Sequence, residues 1–375
     1  MADILVLGCG LIGTSIGLAL HGVRDVVLHD SSPAAAAVAV SRGAGRPWDG
    51  VETATLAVIA VPPLATAGAL QQTQRLNLAR TYTHVASVQS QVQREVEVLK
   101  CDLSSIVGGH PLAGRESSGP AAATADLFLG RPWALCPGPA STVAALADVR
   151  ELAESCGATP VELDADAHDA AVALLSHLPQ VAASALAGLL VPADPDAVAD
   201  HAAALLSGPG LVDTTRLAAS DPSLWAEILT LNAAHVAPAV RELAGHLVIL
   251  AGALEAHAAT TSGGTGPDAQ AARIVREFLV RGNRGRAVVP VKRGEVSEAF
   301  GRVGVSVDDR PGRLAGLLAA AGAAGVNVED VHVEHVPGKP QGVIELLVDV
   351  AAVATLRAAL EDEGWRVVDP NRLTD

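Results

Sequence analysis

The sequence Ile4-Leu5-Val6-Leu7-Gly8-Cys9-Gly10-Leu11-Ile12-Gly13 decides the fold of the first part of the chain. A short apolar run, typical of a buried strand, is followed at once by the pattern Gly-x-Gly-x-x-Gly and then by residues of helical character. The first glycine makes a tight turn, the second lets the backbone approach a pyrophosphate, and the third lets the helix pack closely on the strand. Free N–H groups and the helix dipole at the start of that helix favour phosphate binding. The stretch therefore predicts a dinucleotide-binding Rossmann unit.

The next strand-like run, Val26-Val27-Leu28-His29, leads into Asp30, at the spacing where an acidic residue binds the adenosine ribose hydroxyls. A carboxylate at this point repels the additional phosphate of NADP, so the sequence favours NAD as the cofactor. Ser31, Ser32 and Arg42 could accommodate a phosphate, which leaves NADP as the alternative. The predicted cofactor-binding residues are Gly8, Gly10, Leu11, Ile12, Gly13, Asp30 and Val61.

The pattern of apolar residues divides the chain into four segments. Strand-like runs at 56–61, 83–88, 106–107, 133–137 and 159–163 alternate with helical segments, which predicts an α/β fold, a doubly wound Rossmann sheet over residues 1–164. Residues 165–281 show no strand pattern and predict an all-α domain for substrate binding and dimerisation. The basic, glycine-containing segment 282–300 is predicted as a linker, and 301–375 shows strands and helices in the order βαββαβ.

Composition excludes several classes of protein. Half of the 375 residues are apolar and 18% are charged, which indicates a globular chain, and the net charge of −15 argues against a nucleic-acid surface. The four cysteines fall in no metal-binding spacing, so we expect no metal site and a cytoplasmic location. Residues 170–191 are long and apolar enough to span a bilayer. A polar break at 176–180 favours a buried helix there, and we expect no membrane contact.

The segment 108–119, Gly-Gly-His-Pro-Leu-Ala-Gly-Arg-Glu-Ser-Ser-Gly, carries the strongest chemical signal. It follows a strand and is unsuited to a helix, yet it contains the titratable His110 together with Arg115 and Glu116. Loops held by a rigid sheet often carry catalytic groups, and the imidazole proton moves near neutral pH. The alternative is a surface loop with an incidental histidine.

Two polar segments interrupt the helical domain. The first contains His168-Asp169 and Ser176-His177-Leu178-Pro179-Gln180, and the second contains Asp213-Thr214-Thr215-Arg216 followed by Trp225. An arginine among small polar residues suits two-point binding of a carboxylate. A solvated arginine at a helix end is the other interpretation.

Together these motifs, in this order, resemble the prephenate/arogenate dehydrogenase family over the whole chain. The residues that carry the resemblance are the dinucleotide turn, the strand bearing Ser87, segment 110–119, His168-Asp169 with 176–179, and 213–216 with Trp225. The C-terminal segment resembles an ACT domain through residues 309–314, Asp-Arg-Pro-Gly-Arg-Leu, and 325–330, Gly-Val-Asn-Val-Glu-Asp.

The resemblance implies NAD-dependent oxidative decarboxylation of prephenate to 4-hydroxyphenylpyruvate in tyrosine biosynthesis, with arogenate as the alternative substrate. It implies that His110 accepts the proton of the ring hydroxyl and that Ser87 shares this hydrogen bond and orients the imidazole. The implied substrate-binding residues are Arg216, His177, Gln180, Glu116, Asp213 and Trp225.

The resemblance also implies a homodimer and an amino-acid effector, such as tyrosine, at the ACT turn. The implied effector residues are Asp309, Pro311, Gly312, Arg313 and Asn327.

Three positions depart from the family pattern. His84 replaces an aspartate, Gln89 replaces a lysine, and Gln180 replaces a second histidine. The first two put the supporting hydrogen bonds of the site in doubt and keep open a third interpretation, a decayed NAD and amino-acid sensor. We hypothesise that Gln180 shifts the preference toward arogenate. A 6-phosphogluconate or 3-hydroxyacid dehydrogenase would place a catalytic lysine in the helical domain, but residues 164–281 contain no lysine.

Overall fold

The computed structural model describes residues 1–114, 118–191, 207–262, 269–289, 300–335 and 341–368. Two compact units divide the chain, Met1–Ala244 and Gly245–Asp375.

The first unit is built on an eight-stranded sheet with the order β3-β2-β1-β4-β5-β6-β7-β8. The strands are β1 (Ala2–Leu7), β2 (Val26–His29), β3 (Arg46–Pro47), β4 (Ala54–Ile59), β5 (Ala79–His84), β6 (Ile106–Pro111), β7 (Pro132–Pro137) and β8 (Thr159–Glu162). The helices between them are α1 (Leu11–Ala19), α2 (Pro33–Ser41), α3 (Thr66–Arg75), α4 (Ser90–Val98) and α5 (Val143–Ser155). The predicted Rossmann-like sheet is confirmed.

The sheet differs from the prediction in three places. Strand β6 continues through His110 to Pro111, where the sequence predicted a loop, because residues 108–111 pair with β7. Strand β7 runs antiparallel to β6, because the described residues between them contain only a short 3-10 turn, Pro120–Ala122, in place of a crossover helix. Strand β5 begins at Ala79 and ends at His84, so the prediction of a strand over 83–88 is displaced toward the C-terminus. The threonines of β5 hid its apolar pattern, although Tyr82 and Thr83 are buried.

Apolar strands covered by helices on both faces hold the sheet together. The central strands β1 and β4 are almost wholly buried, as parallel strands in such folds are. Helix α1 lies close to the loop after α2, where a Cβ at Gly17 would come within 2.1 Å of the Ala44 carbonyl oxygen. Glycine at this position is therefore a packing requirement.

The helical part confirms the predicted second domain of helices. It contains α6 (Ala165–Val172), a π turn (Ala173–His177), α7 (Leu178–Gly188), α8 (Pro209–Thr215), a 3-10 turn (Arg216–Ala219), α9 (Pro222–Leu231), α10 (Ala233–Ser262) and α11 (Ala269–Ala287). Asp164 caps α6, and Pro179 lies in the first turn of α7, immediately after the π turn. Helix α11 extends into the segment predicted as a linker.

The apolar stretch 170–191 is less buried than predicted. Leu174, Leu175 and Leu189 are exposed. By length and composition alone, the helical stretches 165–188 and 233–259 could each cross a membrane. Such helices also occur in subunit interfaces, where apolar side chains meet a second chain.

The C-terminal part of the second unit is a four-stranded antiparallel sheet, ordered β10-β11-β9-β12, with two helices. Its elements are β9 (Phe300–Asp308), α12 (Arg313–Ala323), β10 (Val328–His335), β11 (Gln341–Asp349), α13 (Val353–Asp362) and β12 (Arg366–Val368). Alternating residues of β9 and β11 pack with Leu317, Leu356 and Leu360 of the helices in one core. The described elements follow the predicted order of strands and helices.

The packing of α1 predicts opposite effects for the same substitution at two glycines. Gly17→Ala should lower the free energy of unfolding by about 1–3 kcal/mol, because the new Cβ overlaps the Ala44 carbonyl. Gly68→Ala, in α3, should raise it by about 0.5–1 kcal/mol, because nothing lies within 4 Å of a Cβ there and alanine favours the helix. Urea denaturation of both variants checks this, and equal effects at the two sites would contradict the packing.

Candidate active site

The carboxyl ends of four neighbouring strands bring the predicted functional residues to one edge of the first sheet. Strand β1 leads into Gly8, β4 is followed by Val61, β5 ends at His84, and β6 carries His110 near its end. Ligands bind at this edge in open α/β sheets.

The glycine turn after β1 has the geometry that a pyrophosphate site requires. Gly8 adopts a φ of +104°, and a Cβ there would lie 2.4 Å from the Ala60 carbonyl oxygen. A Cβ at Gly13 would lie 2.0 Å from the Gly8 carbonyl oxygen, whereas nothing lies within 4 Å of one at Gly10. Helix α1 begins without a side-chain cap, which leaves the N–H groups of its first turn to a ligand. The turn therefore fits a bound dinucleotide.

Asp30 lies beside this turn in a fixed orientation. One carboxylate oxygen accepts a hydrogen bond from the Cys9 amide at 2.6 Å, and the other accepts one from the Ser32 amide at 2.7 Å. Arg42 is directed elsewhere and donates to the Ala123 carbonyl at 2.7 Å. The edge of the site thus presents a carboxylate, while its neighbouring arginine is engaged.

His110 is joined to the helical part through a second histidine. Its Nδ1 lies 2.9 Å from Nε2 of His168, and Nδ1 of His168 lies 2.8 Å from Oδ1 of Asp169. Because a carboxylate only accepts, His168 donates from Nδ1, and in its neutral form it accepts at Nε2. His110 must then donate from Nδ1, which leaves the lone pair of its Nε2 available to a substrate. The half-buried His110 ring therefore has the tautomer of a proton acceptor.

The Asp169 carboxylate also holds the first residues of α4. Its two oxygens accept hydrogen bonds from the backbone amides of Gln89 and Ser90, both at 2.8 Å. Asn232 donates to the Asp169 carbonyl at 2.8 Å. One buried side chain of the helical part thus caps a helix of the nucleotide-binding part and orients the histidine pair.

The family departures at positions 84 and 89 preserve hydrogen bonding without charge. The Gln89 amide donates to the carbonyls of Ala86 and Gly109, at 2.7 and 3.1 Å. Nδ1 of His84 accepts from the Ala86 amide at 3.3 Å. Gly108 makes room for this arrangement, since a Cβ there would lie 2.3 Å from the Gln89 side-chain oxygen. The loop after β5 is thereby tied to β6 close to His110.

Three histidines of the site, His84, His110 and His177, are held neutral. Desolvation lowers the pKa of His110 well below its usual range, and the nearby His168 and His177 rings lower it further. Burial lowers the pKa of His84 to about 4 and that of His177 to about 4.

The pKa of the Asp169 carboxyl is lowered, whereas burial raises the pKa of most acids. Burial raises its pKa, but hydrogen bonds from His168 and from two backbone amides outweigh this and leave the pKa below the ordinary value. The rings of His84, His110 and His177 are therefore neutral, and the Asp169 carboxylate is ionised, near neutral pH.

A second wall of the site comes from the π turn and α9. His177 is buried, its Nδ1 lies 3.1 Å from the Asn232 amide nitrogen, and its ring meets Trp225 edge-on at 5.9 Å between centroids. Since Asn232 donates, His177 presents an Nε2 proton. Gln180 is buried, donates to Ser184 at 3.3 Å, and has a side-chain oxygen without a partner among the described residues.

Other predicted residues are placed as follows. Ser87 is half-buried beyond the end of β5, and within the described residues His110 is bonded to His168 and not to Ser87. The predicted hydrogen bond by which Ser87 would orient the His110 ring is therefore absent from this structure, because β5 ends before Ser87.

Two further predicted residues lie exposed at the end of α8. Asp213 belongs to the helix itself, and Arg216 begins the following turn, which packs against α7. Glu116 falls outside the described residues.

The predicted effector residues lie around the start of α12. Gly312 has a φ of +86° and precedes the helix, and Arg313 stacks over the ring of Trp365 at 4.4 Å. Asn327 donates to Glu329, while Asp309 and Pro311 are exposed.

Sequence reasoning missed two contributions to the site. Asn232 was not singled out, because it lies in an unremarkable segment between α9 and α10. His168 and Asp169 were noted only as a supporting motif, although their adjacency to a helix start was a usable signal.

Fold and site together define a nucleotide-binding dehydrogenase with a helical second domain. Residues 17–162 match the nucleotide-binding domain of prephenate dehydrogenase, and residues 164–261 match its dimerization domain. The chain is 39% identical to the probable prephenate dehydrogenase NovF of Streptomyces niveus over 97% of its own length and 99% of that protein. It is 26% identical to the prephenate dehydrogenase of Lactococcus lactis over 91% of its length and 93% of the relative.

Among solved structures, prephenate dehydrogenase from A. aeolicus in complex with hydroxyphenyl propionate and NAD+ shares the fold. The TM-score is 0.64 at 23% identity, over 76% of this chain and 98% of that one. The chain belongs to the prephenate dehydrogenase family.

The buried neutral state of His84 predicts an acid-dependent loss of stability. Its pKa of about 4 lies below the unfolded value near 6.5, so the unfolded chain binds more protons and stability falls as pH drops between these values. His84→Asn keeps an acceptor for the Ala86 amide but cannot titrate. It should reduce the loss of unfolding free energy between pH 7.5 and 5 by about 2 kcal/mol.

His235→Asn is the matched control, because His235 pairs with the exposed Asp166. Chemical denaturation at the two pH values measures both variants. The same pH dependence in His84→Asn and the unsubstituted protein would show that His84 is not held neutral.

Proposed function

We propose that this chain is an NAD-dependent prephenate dehydrogenase, which converts prephenate to 4-hydroxyphenylpyruvate by oxidative decarboxylation in tyrosine biosynthesis. The observation that carries the proposal is the His110 ring, neutral and half-buried at the carboxyl edge of the sheet, with its Nε2 lone pair left open by the bond to His168. Family membership and the glycine turn support the same conclusion.

The chain's own residues account for the binding of the cofactor. The backbone of Gly10 and the first turn of α1 would hold the pyrophosphate, Asp30 the ribose hydroxyls, and Val61 the floor beneath the nicotinamide. The carboxylate of Asp30 and the engagement of Arg42 favour NAD over NADP. NAD bound there supplies the acceptor for the hydride that leaves C4 of the substrate ring.

His110 does the proton chemistry. Its Nε2 accepts the proton of the C4 hydroxyl, and general-base catalysis of this type contributes roughly 10²–10⁴-fold in rate. When the ring carboxylate leaves as carbon dioxide, its electron pair makes the ring aromatic, and the same proton returns to the phenolate oxygen. The chain therefore has to align the reactants and hold one proton briefly.

The second wall would orient the substrate. Nε2–H of His177 is a donor for a substrate oxygen, and Arg216 suits a substrate carboxylate. We propose Glu116, Asp213 and Trp225 as further members of this polar wall, and Ser87 as an additional partner of the substrate hydroxyl.

One observation favours arogenate as a second candidate substrate. The buried side-chain oxygen of Gln180 lacks a partner among the described residues. A buried acceptor without a donor is costly, and the ammonium group of arogenate would supply that donor. Prephenate carries a keto group at the corresponding position.

The exposed apolar helices and the C-terminal sheet suggest how the chain assembles and how it is regulated. Both helical stretches with exposed apolar faces fall largely within the segment that matches the dimerization domain, which supports a homodimer in the cytoplasm in preference to a membrane location. We propose that residues 301–375 form a ferredoxin-like ACT domain that follows a Rossmann domain, 1–164, and a helical domain whose last helix, α11, ends at Ala287. Its antiparallel sheet and the left-handed Gly312 before α12 support an amino-acid effector site, for tyrosine, at this turn.

The function predicts a specific loss of activity. With NAD, the protein should form NADH in the presence of prephenate or arogenate, and His110→Asn should reduce kcat by at least about 10²-fold, because it removes the proton acceptor. Absorbance of NADH, with each substrate offered separately, measures this.

His235→Asn serves as the control, since that histidine lies outside the proposed site and should leave kcat unchanged. Absence of turnover with both substrates, while NAD still binds, would instead favour the sensor interpretation.

Gln180 predicts a change in substrate preference. Gln180→His should lower the ratio of kcat/KM for arogenate to that for prephenate by roughly tenfold, because it removes the amide oxygen that would accept from the ammonium group. Ser184→Ala, which removes only the neighbouring hydroxyl, should leave the ratio unchanged. An unchanged ratio in Gln180→His would contradict the role of this side chain.

A further inference from the structure

We propose that His168 and Asp169 are positioning residues that fix the tautomer of His110. We further propose that His110 keeps this tautomer only while α6, which carries both residues, is packed against α4. The proposal deepens the proposed function and rests on it for the role of His110. The geometry of the ring nitrogens can be tested without any substrate.

The first step is the direction of the hydrogen bonds. Asp169 accepts two backbone N–H groups and the Nδ1 proton of His168. Each of these contacts requires the carboxylate as an acceptor, so a neutral His168 has no alternative to the Nδ1–H tautomer while the contact lasts. Its Nε2 is therefore an acceptor, and His110 must place its proton on Nδ1.

The second step concerns the alternative tautomer. If His110 carried its proton on Nε2, two ring nitrogens with lone pairs would face each other at 2.9 Å in a buried setting. This would lose a hydrogen bond and leave two acceptors unpaired. The alternative form would also be unable to accept a proton from a substrate hydroxyl at Nε2.

The third step concerns charge. When Nε2 of His110 takes the substrate proton, the ring becomes a cation close to the neutral rings of His84 and His177. Asp169 is the anion that faces this group from α6, and it opposes the effect of the neighbouring imidazoles. Through His168, the carboxylate stabilises the cation in a place where desolvation would otherwise prevent its formation.

The fourth step links the tautomer to the docking of the two parts. The carboxylate that orients His168 is the one that holds the amides of Gln89 and Ser90 at the start of α4. Gln89 in turn contacts the Gly109 carbonyl, next to His110. Displacement of α6 from α4 would therefore remove the hydrogen bonds to the start of α4 and would allow His110 to adopt the other tautomer.

His168→Phe and His168→Gln test the proposal together. Phenylalanine removes the acceptor, whereas the side-chain oxygen of glutamine can accept near the position of Nε2. His168→Phe should lower kcat by roughly 10²-fold with KM for NAD unchanged, and His168→Gln should recover most of that loss. Asp166→Asn, on the same helix in an exposed carboxylate–histidine pair, is the control and should behave as the unsubstituted protein.

A second readout does not depend on activity. Nitrogen-15 NMR of histidine-labelled protein, with the His110 signals assigned from His110→Asn, reports which ring nitrogen carries the proton. The unsubstituted protein and His168→Gln should show a protonated Nδ1, and His168→Phe should show a mixture of tautomers. A protonated Nε2 in the unsubstituted protein, or an unchanged spectrum in His168→Phe, would overturn the proposal.

The two readouts separate this inference from the proposed function. Turnover of neither substrate, together with the expected tautomers, would refute the dehydrogenase activity and support the positioning role. Turnover that is unaffected in His168→Phe would overturn the positioning role and leave the dehydrogenase activity standing.

Discussion

The buried carboxylate of Asp169 is the interaction on which the site depends. It accepts hydrogen bonds from two backbone amides of the nucleotide-binding part and from a histidine of its own helix. Removal of a carboxylate from water costs several kcal/mol, and only well-placed donors offset this cost. Because those donors come from two parts of the chain, the carboxylate is satisfied only when α6 and α4 are docked. The base is therefore correctly oriented only in the assembled structure.

The rest of the site follows from small side chains at close approaches. Gly8 and Gly13 bring the start of α1 against the sheet, so that its first N–H groups reach the edge where a dinucleotide would bind. Gly108 and Gly109 bring β6 close to the loop after β5, which lets Gln89 bond to the strand. The Gln89 amide nitrogen and the His84 ring keep this loop hydrogen-bonded without a buried charge. This weakens the interpretation of the chain as a decayed enzyme.

Much of the first sheet could be predicted from sequence, because its central strands are continuous apolar runs and its first turn is encoded by glycine spacing. The position of β5 and the antiparallel direction of β7 could not be predicted. Threonines interrupt the apolar pattern of β5, and the direction of β7 depends on the path of the loop that connects it to β6. His110 was predictable as a titratable group close to the end of a strand, although the sequence placed it in the following loop and not in β6. Its bond to His168 was not, because His168 is distant in sequence and the contact depends on how the helical part docks. The exposure of Leu174, Leu175 and Leu189 was not predictable either, since composition does not distinguish a buried helix from one with an exposed apolar face.

The most direct test of the central claim is hydrogen–deuterium exchange, followed by mass spectrometry, over the peptide that contains Gln89 and Ser90. If Asp169 holds the start of α4, Asp169→Ala should speed exchange in this peptide while peptides from β1 keep their protection, and Asp166→Ala should change neither. Unaltered protection of the Gln89 and Ser90 amides in Asp169→Ala would contradict the claim that this carboxylate joins the two parts and orients the base.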